Sequence, residues 1–452
     1  MSKTLEQRMT SYSMGYAFVR NFIAVPGFKL FYRNIHVIGA EKVPDEGPIV
    51  FTPNHQNALM DAMCILCTKN RQPVFVARAD IFQKPVIIKA LHSLRILPIY
   101  RKRDGVNTSD NNQETFDIIL KVLHHGRSVG IMPEGTHSEI KHLRALQKGV
   151  FRIAMKAQEE YGNRPGVKII PVGLEYGDLV KFRSDVIIKY GEAIDLSGYY
   201  DLYTENPNRA FKVLQDLLTE RMKEGMIHIE NQTYYTEIEQ MRVIYARQAA
   251  RKMGLDYNNG ENQLHIQQSI IAAMENLATD NPGAMEILCS KIRSYLAILK
   301  NCRIDDQQVA KPFSLPALIL HFLLIFLGIP IWISGTLMNY IPYRIAYWGS
   351  HKVKDPQFIS SVQYVIGLIV YPLFQIILAI LFIIFIPCIW GKLVMILLPV
   401  PLGVMTYNIY MSVGTLTKRW IFWRGMRKKD PSILQASALR KTIFDILDKM
   451  IK

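Results

Sequence analysis

The sequence predicts an α/β domain with a mostly buried sheet and flanking helices, then a helical region, then a C-terminal helical membrane domain. Three observations predict it. Short runs rich in Val and Ile alternate with segments of helical length as far as about residue 200. Beyond that the strand signals stop. From Phe313 to Tyr410 long apolar runs dominate.

The strand-like runs are Ile35–Ile38, Ile49–Thr52, Val74–Ala77, Ser128–Met132, Lys168–Val172 and Val186–Tyr190. Asn57–Lys69, Lys84–Leu94 and Asn112–His125 have helical length and pattern. Such alternation makes an α/β domain whose sheet is covered on both faces. It is expected over residues 34–200. Residues 1–33 precede it as an N-terminal region in which Tyr16, Phe18, Phe22, Phe28, Phe31 and Tyr32 mix with Arg20, Lys29 and Arg33. At helical spacing this pattern suits a membrane interface, and equally a helix packed on the core.

Residues 201–312 read as amphipathic helices without an assignable motif. Ala210, Leu214, Leu217, Leu218 and Met222 follow helical spacing, and Asp280-Asn281-Pro282 is a helix start. The membrane region, 313–417, has three apolar runs: 315–338, 362–386 and 389–410. A bilayer needs about 20 residues per crossing. The last segment, 418–452, opens with Lys418, Arg419, Arg424, Arg427, Lys428 and Lys429, which predicts a cytosolic tail. With the α/β domain also on the cytosolic face, three crossings would put that tail outside. The first run, interrupted at Gly328 and Pro330, is therefore expected to dip in and return.

The net charge is +16 over 452 residues. Basic balance suits nucleic acid, an anionic membrane or a phosphorylated substrate. The apolar spans in the same chain favour the last two, and no nucleic-acid partner is expected. Met1–Ser13 is polar with no cleavable apolar stretch after it, so no secretory signal is predicted. Cys64 and Cys67 form a lone CxxC inside an apolar run; buried free thiols in a reducing compartment are expected, and no metal site.

Four stretches carry chemistry. Pro53-Asn54-His55-Gln56-Asn57-Ala58-Leu59-Met60-Asp61 directly follows a strand, where α/β proteins place their ligands. Imidazole suits proton abstraction from a hydroxyl near neutral pH, and a carboxylate on its other nitrogen would fix the tautomer. No Ser or Cys stands in a nucleophile elbow, which points to direct attack by an acceptor hydroxyl. In Leu97-Pro98-Ile99-Tyr100-Arg101-Lys102-Arg103-Asp104 a strand ends in three cations, suited to a phosphate or to a solvated basic turn. In Ile131-Met132-Pro133-Glu134-Gly135-Thr136-His137-Ser138 a strand runs into a sharp turn. Glu134 there suits acceptor hydroxyls, and the N–H groups of Gly135 and Thr136 suit phosphate. Ile169-Ile170-Pro171-Val172-Gly173 is a further strand end.

In this order the four stretches resemble the glycerolipid (PlsC-like) acyltransferase family, with its NHxxxxD, GxxFIxR, FPEGTRS and VPxx blocks, over about residues 34–192. The resemblance implies a general base at His55 with Asp61 as partner, and phosphate or acceptor binding by Arg101, Lys102, Arg103, Glu134, Gly135, Thr136 and Lys148. It places Pro171 and Val172 on the acyl-donor side. It implies acyl-CoA or acyl-carrier protein as co-substrate with no cofactor, a phosphorylated glycerol-type acceptor, and membrane lipids as partners. A lysophospholipid or an acylated amino acid is the alternative acceptor, and a non-catalytic membrane scaffold the alternative class. The chain departs from the family at three places. Five residues separate His55 from Asp61 instead of four, as in fungal dual-substrate glycerol-3-phosphate/dihydroxyacetone-phosphate acyltransferases and their bacterial relatives. Arg95 and Pro98 replace Gly and Phe in the second block. His137 stands where Arg is usual. The extra residue requires His55 to sit in the turn before the helix that carries Asp61, because one residue rotates a helical side chain by about 100°.

Overall fold

A computed structural model describes residues 4–100, 108–311, 314–353 and 355–451. The chain forms two compact units: residues 1–228 with 353–364, and residues 229–352 with 365–452.

The first unit opens with helices α1 (Leu5–Thr10), α2 (Met14–Val19) and, after a π-helical turn, α3 (Val25–Phe31). Tyr16, Phe28, Phe31 and Tyr32 turn into the core while Met14, Phe18 and Phe22 stay exposed. The aromatic stretch thus packs on the domain with one face and leaves an apolar face outside. Strands β1 (Ile35–Ile38), β2 (Ile49–Pro53), β3 (Val74–Arg78), β4 (Ile96–Ile99), β5 (Ser128–Gly130), β6 (Lys168–Tyr176), β7 (Val186–Tyr190) and β8 (Ile194–Asp195) form one sheet. Among the described residues its order is β1-β7-β6-β2-β5-β3-β4, with β8 beside β6. All pairs are parallel except β6–β7 and β6–β8. The six sequence-predicted strands are all present.

Helices α4 (Leu59–Thr68), α5 (Pro85–Ser93), α6 (Thr108–His124) and α7 (Gly149–Gln158) connect the strands, followed by α8 (Tyr200–Glu205) and α9 (Pro207–Gly225). The unit runs past the expected boundary near residue 200. Leu214, Leu218 and Met222 of α9 join Val50, Val129, Phe151 and Ile169 in one buried cluster. A Cβ on Gly173 of β6 would collide with the carbonyl oxygen of Gly225, so glycine there lets α9 close on the sheet. Arg95 explains one departure from the family pattern. Its φ is 60°, a conformation that glycine adopts without cost. Its guanidinium bonds the carbonyls of Arg8 (3.1 Å), Met9 (3.0 Å), Gln72 (3.3 Å) and Ser11, which ties the N-terminal segment to the sheet.

The second unit is helical. Helices α10 (Tyr235–Ile244), α11 (Ala246–Lys252), α12 (Gly260–Asp280), α13 (Pro282–Cys302) and α14 (Asp306–Ala310) form a bundle. It is followed by α15 (Leu315–Leu327), α16 (Ile329–Ser350), most of α17 (Ile359–Phe385), α18 (Ile389–Leu397), α19 (Pro399–Arg427) and α20 (Pro431–Met450). Helix α20 returns to the bundle: it packs on α13, and Arg440 pairs with Asp306 at 2.7 Å. Among the described residues one helix, Pro356–Phe385, is long and apolar enough to cross a membrane. The pairs α15–α16 and α18–α19 are each bent by 46° and would count as two more if each were one span. The break expected at Gly328–Pro330 is a bend of 46°, which suits a broken span or a re-entrant loop.

Candidate active site

Strand β2 is buried along its whole length, and its end delivers the loop Asn54–Ala58 to the sheet's carboxyl edge. Asn54 anchors that loop to β6: its side chain accepts from Leu174 N at 2.6 Å and donates to Leu174 O at 3.1 Å. His55 lies in the loop and Asp61 in the first turn of α4, the arrangement that the extra residue requires. His55 Nδ1 is 2.8 Å from Asp61 Oδ2.

Asp61 is fully buried, so its oxygens need partners. Oδ2 also accepts from the backbone N–H groups of Gln56 and Asn57, each at 2.9 Å, and Oδ1 accepts from Tyr176 Oη at 2.6 Å. Burial pushes the Tyr176 phenol well above its ordinary pKa, with the Asp61 charge adding to the rise, so it stays a donor. The helix N-terminus favours a negative charge at the same place. With Asp61 accepting only, Nδ1 of His55 carries the proton. Nε2, the basic nitrogen, then has no hydrogen-bond partner among the described residues. The His55 side chain is 18% exposed, enough to meet a substrate.

The backbone of His55 is pinned as well. Its N–H donates to Glu134 Oε1 at 2.8 Å, and its carbonyl accepts from Ser138 N at 3.2 Å. Glu134 Oε2 takes both the backbone N–H and Nε of Arg144 at 3.2 Å. Arg144 Nη1 reaches Thr136 Oγ1 and, at 3.1 Å, the carbonyl of His137. Glu134 and Thr136 therefore brace the His55 loop here, a job the sequence did not suggest for them. Gly135 makes the turn between them at φ 69°, where a side chain would be strained.

His137 stands edge-on to His55, with ring centres 5.5 Å apart. Lys148 is exposed just before α7. Pro171 and Val172 lie inside β6 opposite Thr52 and Pro53, with buried side chains. Arg101, Lys102 and Arg103 fall outside the described residues. Tyr176, Arg144 and Asn57 complete the site but carry no short-range signal. Tyr176 meets Asp61 across 115 positions of chain, a pairing only the sheet creates.

The Acyltransferase family model matches residues 34–175, the stretch that builds this pair and its supports. Residues 34–175 are an acyltransferase-family domain. The glycerol-3-phosphate O-acyltransferase 2 of Saccharomyces cerevisiae is 33% identical over 110 residues, 24% of this chain and 15% of the relative. The chloroplastic 1-acyl-sn-glycerol-3-phosphate acyltransferase of Arabidopsis thaliana is 28% identical over 163 residues, 36% of this chain and 41% of the relative. The matched region thus spans less than half the length of either relative. The crystal structure of the 1-acyl-sn-glycerophosphate acyltransferase PlsC from Thermotoga maritima is 20% identical, with a TM-score of 0.33, covering 48% of this chain and 86% of that one.

Proposed function

We propose that the protein transfers a fatty-acyl group from acyl-CoA or acyl-carrier protein to a hydroxyl of glycerol 3-phosphate or a related phosphorylated acceptor. The observation that carries the reading is the Nε2 of His55, without a hydrogen-bond partner among the described residues, on a ring fixed by buried Asp61 inside the stretch that the Acyltransferase model matches. In the step, the acceptor hydroxyl gives its proton to His55 Nε2 as its oxygen attacks the thioester carbonyl. The tetrahedral intermediate collapses, the C–S bond breaks, and the thiolate takes the proton from the imidazolium. The products are an ester and a free thiol. Asp61 stabilises the imidazolium between the two transfers. Arg101, Lys102, Arg103 and Lys148 are the cations proposed to grip the phosphate.

Lysophosphatidate is the second acceptor reading, favoured by the match to the Arabidopsis thaliana protein named for 1-acyl-sn-glycerol-3-phosphate. Purified protein in detergent, given labelled acyl-CoA or acyl-carrier protein with each acceptor in turn, tests both. Labelled lysophosphatidate from glycerol 3-phosphate is the expected product, and His55→Ala should abolish it. No product with any phosphorylated or lyso acceptor would refute the reading.

The site is proposed to work at the cytosolic face of a membrane. The chain passes from His228 into α10 without an apolar run, and residues 353–364 fold within the first unit. Residues 311–353 therefore leave and regain one face, which demands an even number of crossings. Helix α15 has 13 residues, a length of about 20 Å against a hydrocarbon core of about 30 Å. Two crossings do not fit, so α15–α16 stays on the side it starts from. The packing of α20 on α13 supports a tail on that same side.

A further inference from the structure

The first unit contains a stretch from far down the chain, the entrance of α17. Asp355 Oδ2 lies 3.0 Å from His137 Nε2, and the Phe358 ring stands edge-on to His137 at 4.9 Å between centres. Ser360 Oγ donates to Asn57 Oδ1 at 2.6 Å, and Ser361 Oγ accepts from Leu59 N at 3.2 Å. Tyr364 Oη donates to Ala24 O at 2.7 Å. Ser360 is fully buried and Ser361 nearly so.

These bonds fall on the loop between His55 and Asp61. Asn57 N–H is one of the donors on Asp61 Oδ2, and the Asn57 side chain is held at both ends, by Ser360 and by the carbonyl of Leu179 at 3.2 Å. Leu59 N is the first N–H of α4, which has no intrahelical partner. A helix normally satisfies its first N–H groups with a Ser, Thr, Asp or Asn just before it. The residue there is Ala58, which has no side-chain oxygen and sits at φ 44°, ψ −117°. Ser361 supplies the hydroxyl from 302 positions away. The lengthened loop takes its cap from the entrance of a membrane helix.

We infer that Asp355, Ser360 and Ser361 are positioning residues of the transfer site. Ser360 and Ser361 fix the loop that aims His55 at Asp61, and Asp355 fixes the His137 ring beside His55. The geometry of the base then depends on the seating of the α17 entrance, which couples membrane anchorage to turnover. The inference rests on the general-base reading of His55.

The test uses full-length protein in detergent. In the double variant Ser360→Ala/Ser361→Ala, kcat is expected to fall at least about tenfold, since small misplacements of a base are costly. KM for both substrates should stay within about twofold, because neither serine is placed against substrate. Ser361→Thr, which keeps the hydroxyl, should retain most of the wild-type rate. Hydrogen–deuterium exchange over residues 54–62 should rise at least about tenfold in the double variant, whatever its activity. Unchanged exchange there overturns the inference. So does an unchanged kcat, or a rate loss that Ser361→Thr shares in full. A wild-type protein without transferase activity, or an active His55→Ala, would instead strike the general-base reading and leave the exchange result to decide the positioning.

Discussion

His137 Nε2 and Asp355 Oδ2 meet at 3.0 Å across 218 positions of sequence, beside the His55 ring. Burial pulls the His137 pKa below its ordinary value; the hydrogen bond and charge of Asp355 oppose the fall, and His55 and Arg78 add to it. Burial works against ionisation of Asp355, but the bonds from His137 and the Gln357 N–H, with the charges of His137 and Arg78, hold its pKa below the ordinary value. Both pKa values are depressed in the folded protein. Each group therefore contributes stability that is present above its unfolded pKa and lost as pH falls through its folded one. A titration of the His137 ring by NMR should show a midpoint below about 6.5, the ordinary imidazole value. Asp355→Asn should lower it further, because Asp355 is what raises it. A midpoint above the ordinary value, or one that rises in Asp355→Asn, would contradict this account.

Asp61 and Tyr176 should differ sharply in their effect on turnover. Asp61→Asn puts an amide where Nδ1–H needs an acceptor, and the ring loses its enforced tautomer. A loss of kcat between about 10² and 10⁴ is expected, on the scale of carboxylate-to-amide changes in hydrolase triads. Tyr176→Phe removes one of four donors from a carboxylate that keeps three. It should cost about 1–3 kcal/mol of stability and at most about tenfold in kcat. Thermal melts and initial rates on the two variants check the order. A larger kcat loss in Tyr176→Phe than in Asp61→Asn would mean that the phenol, not the carboxylate, organises the ring.

Ala58 carries the strain of the fifth residue between His55 and Asp61. Its φ of 44° with ψ −117° lies where glycine is free and other residues cost about 1–3 kcal/mol. Ala58→Gly should leave activity intact and leave the melting temperature unchanged or higher. Ala58→Val, with a branched Cβ, should lower both. A melting temperature that drops in the glycine variant would show that the loop is unstrained.

Much of this site was legible from local pattern. The six strands followed from runs of Val and Ile, and the position of His55 at the end of β2 followed from the run Ile49–Thr52 directly before its motif. The demand that His55 lie in the turn came from counting residues to Asp61, and the loop satisfies it. What was illegible depends on distant chain. Glu134 reads as a ligand in its motif, yet its two oxygens brace His55 and Arg144. Residues 201–228 read as a separate helical region because helical spacing says nothing about which sheet a helix covers. The α17 entrance reads only as the start of an apolar run, since the loop that Ser360 and Ser361 hold lies some 300 positions earlier.

An even number of crossings between residues 311 and 353 would decide which residues an impermeant thiol reagent reaches from outside the membrane. In the proposed topology the α15–α16 pair, which carries Asn339, starts and ends on the catalytic side, so Asn339→Cys should stay unlabelled from outside in a background lacking the native cysteines. Cys388 lies in the turn between α17 and α18 and is exposed. Helix α17 has 27 residues, about 40 Å of helix, which exceeds the hydrocarbon core. If it crosses, Cys388 is the outer turn and should be labelled from outside, while a cysteine at Lys429 should require permeabilised cells. Labelling at Asn339→Cys would break the even count between residues 311 and 353. Protection of Cys388 would mean that α17 and α18 enter and return within the bilayer.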